Sequence, residues 1–267
     1  MASNDKKYNN IELMASVASR YLEDGKVMFA GTGIPMLAAS LAQKTSAPNL
    51  VLVYEAGGIS PAASMLPLSV ADSRTTYRAI CNASMPEAME MNQKGLVTYA
   101  FLGGAQIDPY GNLNSTIIGT DYYNPKVRLP GSGGANELGS LAWKTLIIMN
   151  HSRKRFVEKV DFITTPGYLD GPGGRERAGL PPGTGPHLVF TELGLFDFDE
   201  KTKRMRLKSV LPGVTVEKVV SETGFQLIIP ETVPVEDEPT KEELRLLREE
   251  VDPWRVVLRR GDNNAQE

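Results

Sequence analysis

The 267-residue chain contains a single cysteine, Cys81, so no disulfide framework can form within it, and a lone thiol fits a reducing compartment. Histidine is nearly as scarce. His151 and His187 are the only two, no acidic ligand cluster accompanies them, and no metal is expected. A Cys/His nucleophile pair can be written from these residues, but a lone thiol is far more often a buried structural one. Excess charge is missing too: the net charge is -3 with 23% charged residues, which supports neither a nucleic-acid surface nor an anionic membrane surface as partner. No apolar run is long enough to span a bilayer, and the segment Met1 to Asn10 is polar without an apolar signal core. The expectation is a soluble cytoplasmic protein. Internal repeats and linker-like stretches are also lacking.

What is present is ample hydrophobic content, 41%, enough for one large α/β domain or two small ones. Ile11, Met14, Val17, Ala18 and Tyr21 recur at helical spacing and predict a helix over 11–24, ended by Gly25. A strand over 26–30, a GTGIP turn, a helix over 37–43 with Pro35 in its first turn, and a strand over 50–54 make a β-α-β unit with a right-handed crossover. Apolar runs predict further strands at 96–102 and 144–149, and shorter ones at 77–83, 115–119 and 162–164. Short helices are expected at 64–71 and 85–93, another from Asn136 or Glu137, and two more at 215–223 and 240–250, the last with a Thr240/Glu243 capping box. Residues 166–186, rich in glycine and proline, read as a long surface loop; 187–197 and 205–211 alternate as a hairpin would, and 259–267 as a frayed tail. The fold class is therefore a single open α/β domain with a mainly parallel sheet: core 10–165, loop 166–186, hairpin and C-terminal helices 187–258, tail 259–267.

The chemistry concentrates on the stretch VLVYEAGGIS, residues 51–60. A short buried strand delivers one carboxylate, Glu55, onto a corner where Gly57 and Gly58 allow close approach. A solvated strand-end carboxylate is the commoner case, since structural acids outnumber catalytic ones. A second reading is a dinucleotide fingerprint, with Gly31 and Gly33 in the turn and Glu55 on a ribose. Its third glycine position is Met36, and Pro35 interrupts it, so the match is weak. Downstream, GSGGAN at 131–136 turns into a helix, and such a turn exposes backbone N–H groups suited to an anion or oxyanion; a plain tight turn fits as well. The basic run Arg153-Lys154-Arg155 reads most simply as a solvated face.

Four glycine motifs in this order, GTGIP at 31–35, EAGG at 55–58, GGAQIDPYGNLN at 103–114 and GSGGAN at 131–136, resemble the β (B) chain of the family I CoA-transferases, in the branch acting on acids such as glutaconate. The likeness continues through DGPGGRER at 170–177 and EKTKRM at 200–205, covering nearly the whole chain. The resemblance implies the family fold and a ping-pong transfer of CoA between carboxylic acids, with Glu55 as nucleophile and a covalent glutamyl-CoA thioester. It implies a backbone donor from Gly134, and substrate or CoA contacts from Gly31, Gly33, Gly57, Gly103, Gly104, Gly133, Gln106 and Asn114, the last two acting more as support than in the chemistry. The wider family often carries an asparagine two residues before the first motif; Phe29 stands there, so that donor is missing. Coenzyme A would be a substrate, with no cofactor, and an A-type (α) chain the obligatory partner in an (αβ)₂ assembly. The basic run at 153–155 would then be available to CoA phosphates or to that partner. A dicarboxylate substrate would need a cation for its far end, with Arg128, the arginines of 170–177 or a group of the partner chain as candidates.

Other members of the superfamily are ring-opening hydrolases or decarboxylases in which this glutamate is replaced. Its presence here favours transfer over those reactions, and over an inactive scaffolding role.

Overall fold

The computed structural model describes residues 7–62 and 65–259. The polar leader at 1–6, the start of the helix expected over 64–71 and the tail from 260 lie outside the described residues.

Nine strands form the main sheet: β1 Val27–Ala30, β2 Val51–Val53, β3 Gly58–Ile59, β4 Cys81–Asn82, β5 Tyr99–Leu102, β10 Lys144–Ile148, β11 Pro186–Phe190, β12 Gly194–Phe198 and β13 Met205–Val210. Two ribbons, β6 Gln106–Ile107 with β7 Leu113–Asn114 and β8 Ile117–Ile118 with β9 Val127–Arg128, lie apart from it. The order across the sheet is β13-β12-β11-β10-β5-β1-β2-β3-β4. The five central strands, β11 to β2, are parallel, and the flanking pairs on both sides are antiparallel. The mainly parallel α/β fold expected from the β-α-β pattern is therefore the one observed. The first strand of the expected hairpin, 187–197, is two strands: β11 joins the parallel set beside β10, and β12 makes the antiparallel pair with β13.

Alternation along each central strand sorts side chains onto two faces. Met28, Leu52, Tyr54, Phe101, Leu146 and Phe190 enter the cluster shared with α1 (Asn10–Arg20) and α2 (Ile34–Lys44). Phe29, Val53, Ala100, Leu102, Ile147 and Val189 enter the opposite one, with Ile107, Leu113, Leu138 and Phe156. By the same period of two, Glu55 follows Val53 onto this second face.

α1 opens on a capping box, with Asn9 accepting from the Glu12 N–H and Glu12 accepting from the Asn9 N–H, both at 2.9 Å. α3 (Met85–Gln93) and α7 (Lys241–Arg245) carry the same device, from Ser84/Glu87 and Thr240/Glu243. α4 spans Ala135–Leu141, α5 Gly174–Arg177 and α6 Val216–Glu222. Several expected elements fail. Residues 65–71 form no helix; 77–83 yields only β4; 162–164 forms no strand, and Thr164 and Thr165 bond the Leu113 backbone as an isolated bridge. The helix expected to run to 250 turns into a π-helical stretch over Leu246–Val251. Residues 166–186, expected as a long surface loop, contain α5 and a packed Tyr168 whose hydroxyl donates to the Pro186 carbonyl at 2.9 Å.

Candidate active site

Glu55 sits where β2 ends, at the first corner of a tight turn into β3. The Gly57 N–H donates to the Tyr54 carbonyl at 2.8 Å and the Tyr54 N–H to the Gly58 carbonyl at 2.9 Å, so Glu55 and Ala56 project from the sheet edge. The residue is half-buried, and no hydrogen bond or ion pair holds its carboxyl group among the described residues. Tyr54 points to the opposite face and is buried, which pushes its hydroxyl pKa up to about 12.

The two glycines after Glu55 serve the chain itself. A Cβ on Gly57 would lie 1.8 Å from the Ala83 carbonyl oxygen, and one on Gly58 1.7 Å from that of Thr75. Gly57, expected to face substrate, thus has its open side filled by the segment that leads into α3. This packing brings α3 beside Glu55. Met89 on α3 and Gly134 at the start of α4 form the wall of the site: a Cβ on Gly134 would lie 3.1 Å from Met89 Cε and 3.4 Å from Glu55 Oε1. The Gly134 N–H makes no hydrogen bond among the described residues. A carboxylate and a free backbone donor therefore share one corner.

The remaining glycine loops end neighbouring parallel strands on the same edge of the sheet. Gly31 and Gly33 follow β1, next to β2, and Gly103 and Gly104 follow β5, next to β1. Gly33 and Gly133 have open space where a Cβ would stand, with φ of +90° and +49°. Phe29, two residues before Gly31, is buried in the core beneath.

Gln106 and Asn114 face each other across the β6–β7 ribbon, and their amides are consumed there. Asn114 Nδ2 donates to Gln106 Oε1 at 2.7 Å and to the Ile117 carbonyl at 2.6 Å, while its oxygen accepts from the Thr116 and Ile117 N–H groups. Gln106 Oε1 also accepts from the Asp161 N–H at 3.0 Å, and Gln106 Nε2 donates to Asp161 Oδ2. Neither side chain reaches Glu55 by any contact. Ser115, next along the ribbon, bonds the Gly131 backbone in both directions, so this lock sets the entry to the GSGGAN turn.

Asp108 and Asn112, whose roles the sequence did not announce, form a second clamp. Asp108 accepts from the Tyr110 and Asn112 N–H groups and from Asn112 Nδ2, and the Asn112 oxygen accepts from the Gly167 and Leu169 N–H groups. Burial pushes the Asp108 pKa up to about 6 despite these bonds.

Beyond β10 and β11 lies a further cluster. His151 is buried and stacked on Phe156, ring centroids 3.8 Å apart, with its ring nitrogens against the Thr191 and Thr223 hydroxyls. Burial pulls its pKa down to about 4. Its backbone N–H donates to both oxygens of Glu192, whose carboxyl burial pushes upward. Cys81, expected to be buried, is instead exposed on β4, and His187 is exposed on β11; no contact joins Cys81 to either histidine. Among the described residues no group of three His, Cys, Asp or Glu side chains could hold a metal ion, and no helix is long and apolar enough to cross a membrane.

The arginines proposed to meet a second carboxylate are engaged elsewhere. Arg128 stacks on Tyr122 and donates to its carbonyl. Arg177 pairs with Asp170. Arg175 is buried, and its guanidinium donates to the carbonyls of Pro166, Gly167, Gly139 and Ser140 and to the Thr184 hydroxyl, pinning the 166–186 segment to the end of α4.

The chain is 42% identical over 258 residues to the B chain of glutaconate CoA-transferase from Acidaminococcus fermentans, covering 94% of this chain and 95% of that protein. It is 40% identical over 242 residues to the B chain of 3-oxoadipate CoA-transferase from Pseudomonas knackmussii, covering 90% and 92%. The crystal structure of the glutaconate enzyme superposes with a TM-score of 0.89 at 40% identity, over 94% of this chain and 97% of that one. Residues 11–222, spanning every loop that meets on the Glu55 edge, match the family described as Coenzyme A transferase, and the chain belongs to that family.

Proposed function

We propose that this chain is the B-type half of a two-component CoA-transferase that exchanges CoA between dicarboxylic acids, with Glu55 as its covalent nucleophile. The observation that carries the reading is the unpaired Glu55 carboxylate beside the free N–H of Gly134. Two relatives named as B-type components are transferases for glutaconate and 3-oxoadipate, both dicarboxylic acids, and naming of that kind points to a separate A-type partner here, in an (αβ)₂ assembly.

In the first half-reaction a Glu55 oxygen adds to the thioester carbonyl of the donor acyl-CoA. The C–S bond breaks, CoA leaves as thiolate, and a mixed anhydride joins Glu55 to the acyl group. The thiolate then adds to the Glu55 carbonyl of that anhydride and expels the donor acid as carboxylate. This leaves Glu55 as a CoA thioester; the acceptor acid reverses both steps. A carboxylate is a weak nucleophile, so the tetrahedral oxyanions need a fixed donor, the role given to Gly134, and a site closed to water. Gly31, Gly33, Gly103, Gly104 and Gly133 line the approach with backbone, while Gln106 and Asn114 hold it in shape.

The test is co-expression with an A-type chain, incubation with an acyl-CoA, borohydride reduction and peptide mapping. Reduction is expected to label residue 55. Transfer that proceeds with residue 55 unmodified refutes the mechanism, and thioester turnover that needs no added acid identifies a hydrolase instead.

A further inference from the structure

We infer that Arg155 is the specificity-determining residue that receives the far carboxylate of the acid bound at Glu55; the inference rests on the transferase reading above. Among the cations expected to do this, Arg128, Arg175 and Arg177 are occupied by a tyrosine, by carbonyl oxygens and by Asp170. Arg74 pairs with Asp72, and Arg153 donates to the Ser221 carbonyl. Arg155 differs. Its guanidinium reaches the loop that ends β5 and makes one long hydrogen bond, 3.5 Å, to the Gly104 carbonyl. No carboxylate pairs with it within 4 Å among the described residues, although Glu192 lies close enough to feel its charge.

Its stem, by contrast, is fixed. The Ile107 N–H donates to the Arg155 carbonyl at 2.7 Å, and the Val157 N–H to the Ile107 carbonyl at 2.9 Å, so the residue pairs as an added strand beside β6. The Arg155 N–H closes a turn onto Ser152, and Phe156, fully buried, is stacked on His151. A half-buried arginine with a rigid backbone and four unused donors is preorganised for a bidentate anion.

The placement suits a dicarboxylate. Glu55 follows β2 and Gly104 follows β5, two strands across, a lateral offset of about 10 Å at ~4.8 Å per strand. A glutamyl side chain joined to a five- or six-carbon acid spans a gap of that order. The Arg155 segment packs on the Glu55 side of the sheet: Phe156 and its bridge partner Ile107 share a cluster with Val53, two residues before Glu55.

The experiment uses the assembled enzyme with its A-type partner. The Glu55–CoA thioester is preformed, then discharged with glutaconate or with 2-pentenoate, which keeps the chain length but ends in a methyl group. In Arg155→Gln the ratio of the two discharge rates is expected to fall roughly 10- to 100-fold, the range of a lost hydrogen bond to a charged group. Arg155→Lys, which keeps the charge without the fork, is expected to recover part of it, and carries the test alone if the glutamine variant does not fold. An unchanged ratio in both variants overturns the inference. So does an equal loss for both acids tied to the KM for the CoA thioester, which would make Arg155 a CoA-phosphate ligand. Wild-type enzyme that transfers CoA but shows no preference for the dicarboxylate also overturns it while leaving the transferase reading standing. Absence of transfer to any acid fails that reading itself.

Discussion

Replacing Gly134 and Gly57 by alanine separates a glycine that gives room to chemistry from one that gives room to the fold. At Gly134 the backbone, φ -80° and ψ -2°, is one alanine adopts freely. The added methyl would meet Met89 Cε at 3.1 Å and Glu55 Oε1 at 3.4 Å, both ends of side chains that can yield. The expected change in unfolding free energy is within about 1 kcal/mol. The methyl would, however, stand in van der Waals contact with the carboxylate, in the space where the tetrahedral oxyanion is proposed to form, and loss of one oxyanion contact costs ~10²–10³-fold in turnover. At Gly57 the opposite holds. Its φ is +103°, which costs alanine ~1–2 kcal/mol, and its methyl would fall 1.8 Å from the Ala83 carbonyl oxygen, a backbone atom that cannot step aside. Together these give about 3 kcal/mol or more and a melting temperature lowered by roughly 6–12 °C for a chain of this size. Thermal melts and CoA-transfer rates on both variants, assembled with the A-type chain, decide the matter. A Gly134→Ala enzyme with wild-type turnover, or a Gly57→Ala protein with the wild-type melting point, refutes this division of roles.

Two further outcomes follow from buried polar groups. His151 is charged in the unfolded chain below pH 6.5 but stays neutral when folded down to about pH 4, so its burial removes stability as pH falls through that window. Urea titrations should show the stability gap between wild type and His151→Gln shifting by up to about 3 kcal/mol in the variant's favour between pH 7 and 4; a gap independent of pH refutes the assignment, since the raised carboxyls of Asp108 and Glu192 are common to both proteins. Arg175→Met should lower the melting temperature by roughly 6–12 °C, because it strands four carbonyl groups. Limited proteolysis should then cut within 166–186, and unchanged resistance there would show that Arg175 does not pin the segment.

The central sheet was legible because its signals are local. Apolar runs such as Leu146-Ile147-Ile148, punctuated by glycine and alternating with helical spacing, specify parallel strands buried on both faces. Elements whose existence depends on distant partners were not. Residues 166–186 carry no apolar period, and what orders them is one guanidinium bonded both to the loop's own first carbonyls and to those at the end of α4. The π-helical turn at Leu246–Val251 has the pattern of an ordinary helix. Nothing in residues 187–197 distinguishes one hairpin strand from two strands of which the first pairs with β10, because that pairing is decided across a long stretch of intervening chain.

The site divides along the same line. Glu55 could be picked out because a charged residue closing an apolar strand before paired glycines is a local oddity, and Gly134 because its motif is local too. Their meeting is tertiary, made by α3 swinging Met89 into place, and Met89 reads in the sequence as one more apolar residue on a helix. Gly57 is legible to the same extent: a glycine announces that something approaches closely, here the Ala83 backbone, but not whether that is a ligand or the chain itself. Arg155 shows the converse. Within a run of three basic residues it is indistinguishable from a solvated face, and only the pairing of its backbone with Ile107 turns it from the most ordinary of the three into the one aimed at the active edge. Charge identity is written in the sequence, whereas charge that is left unspent is a property of the folded neighbours alone.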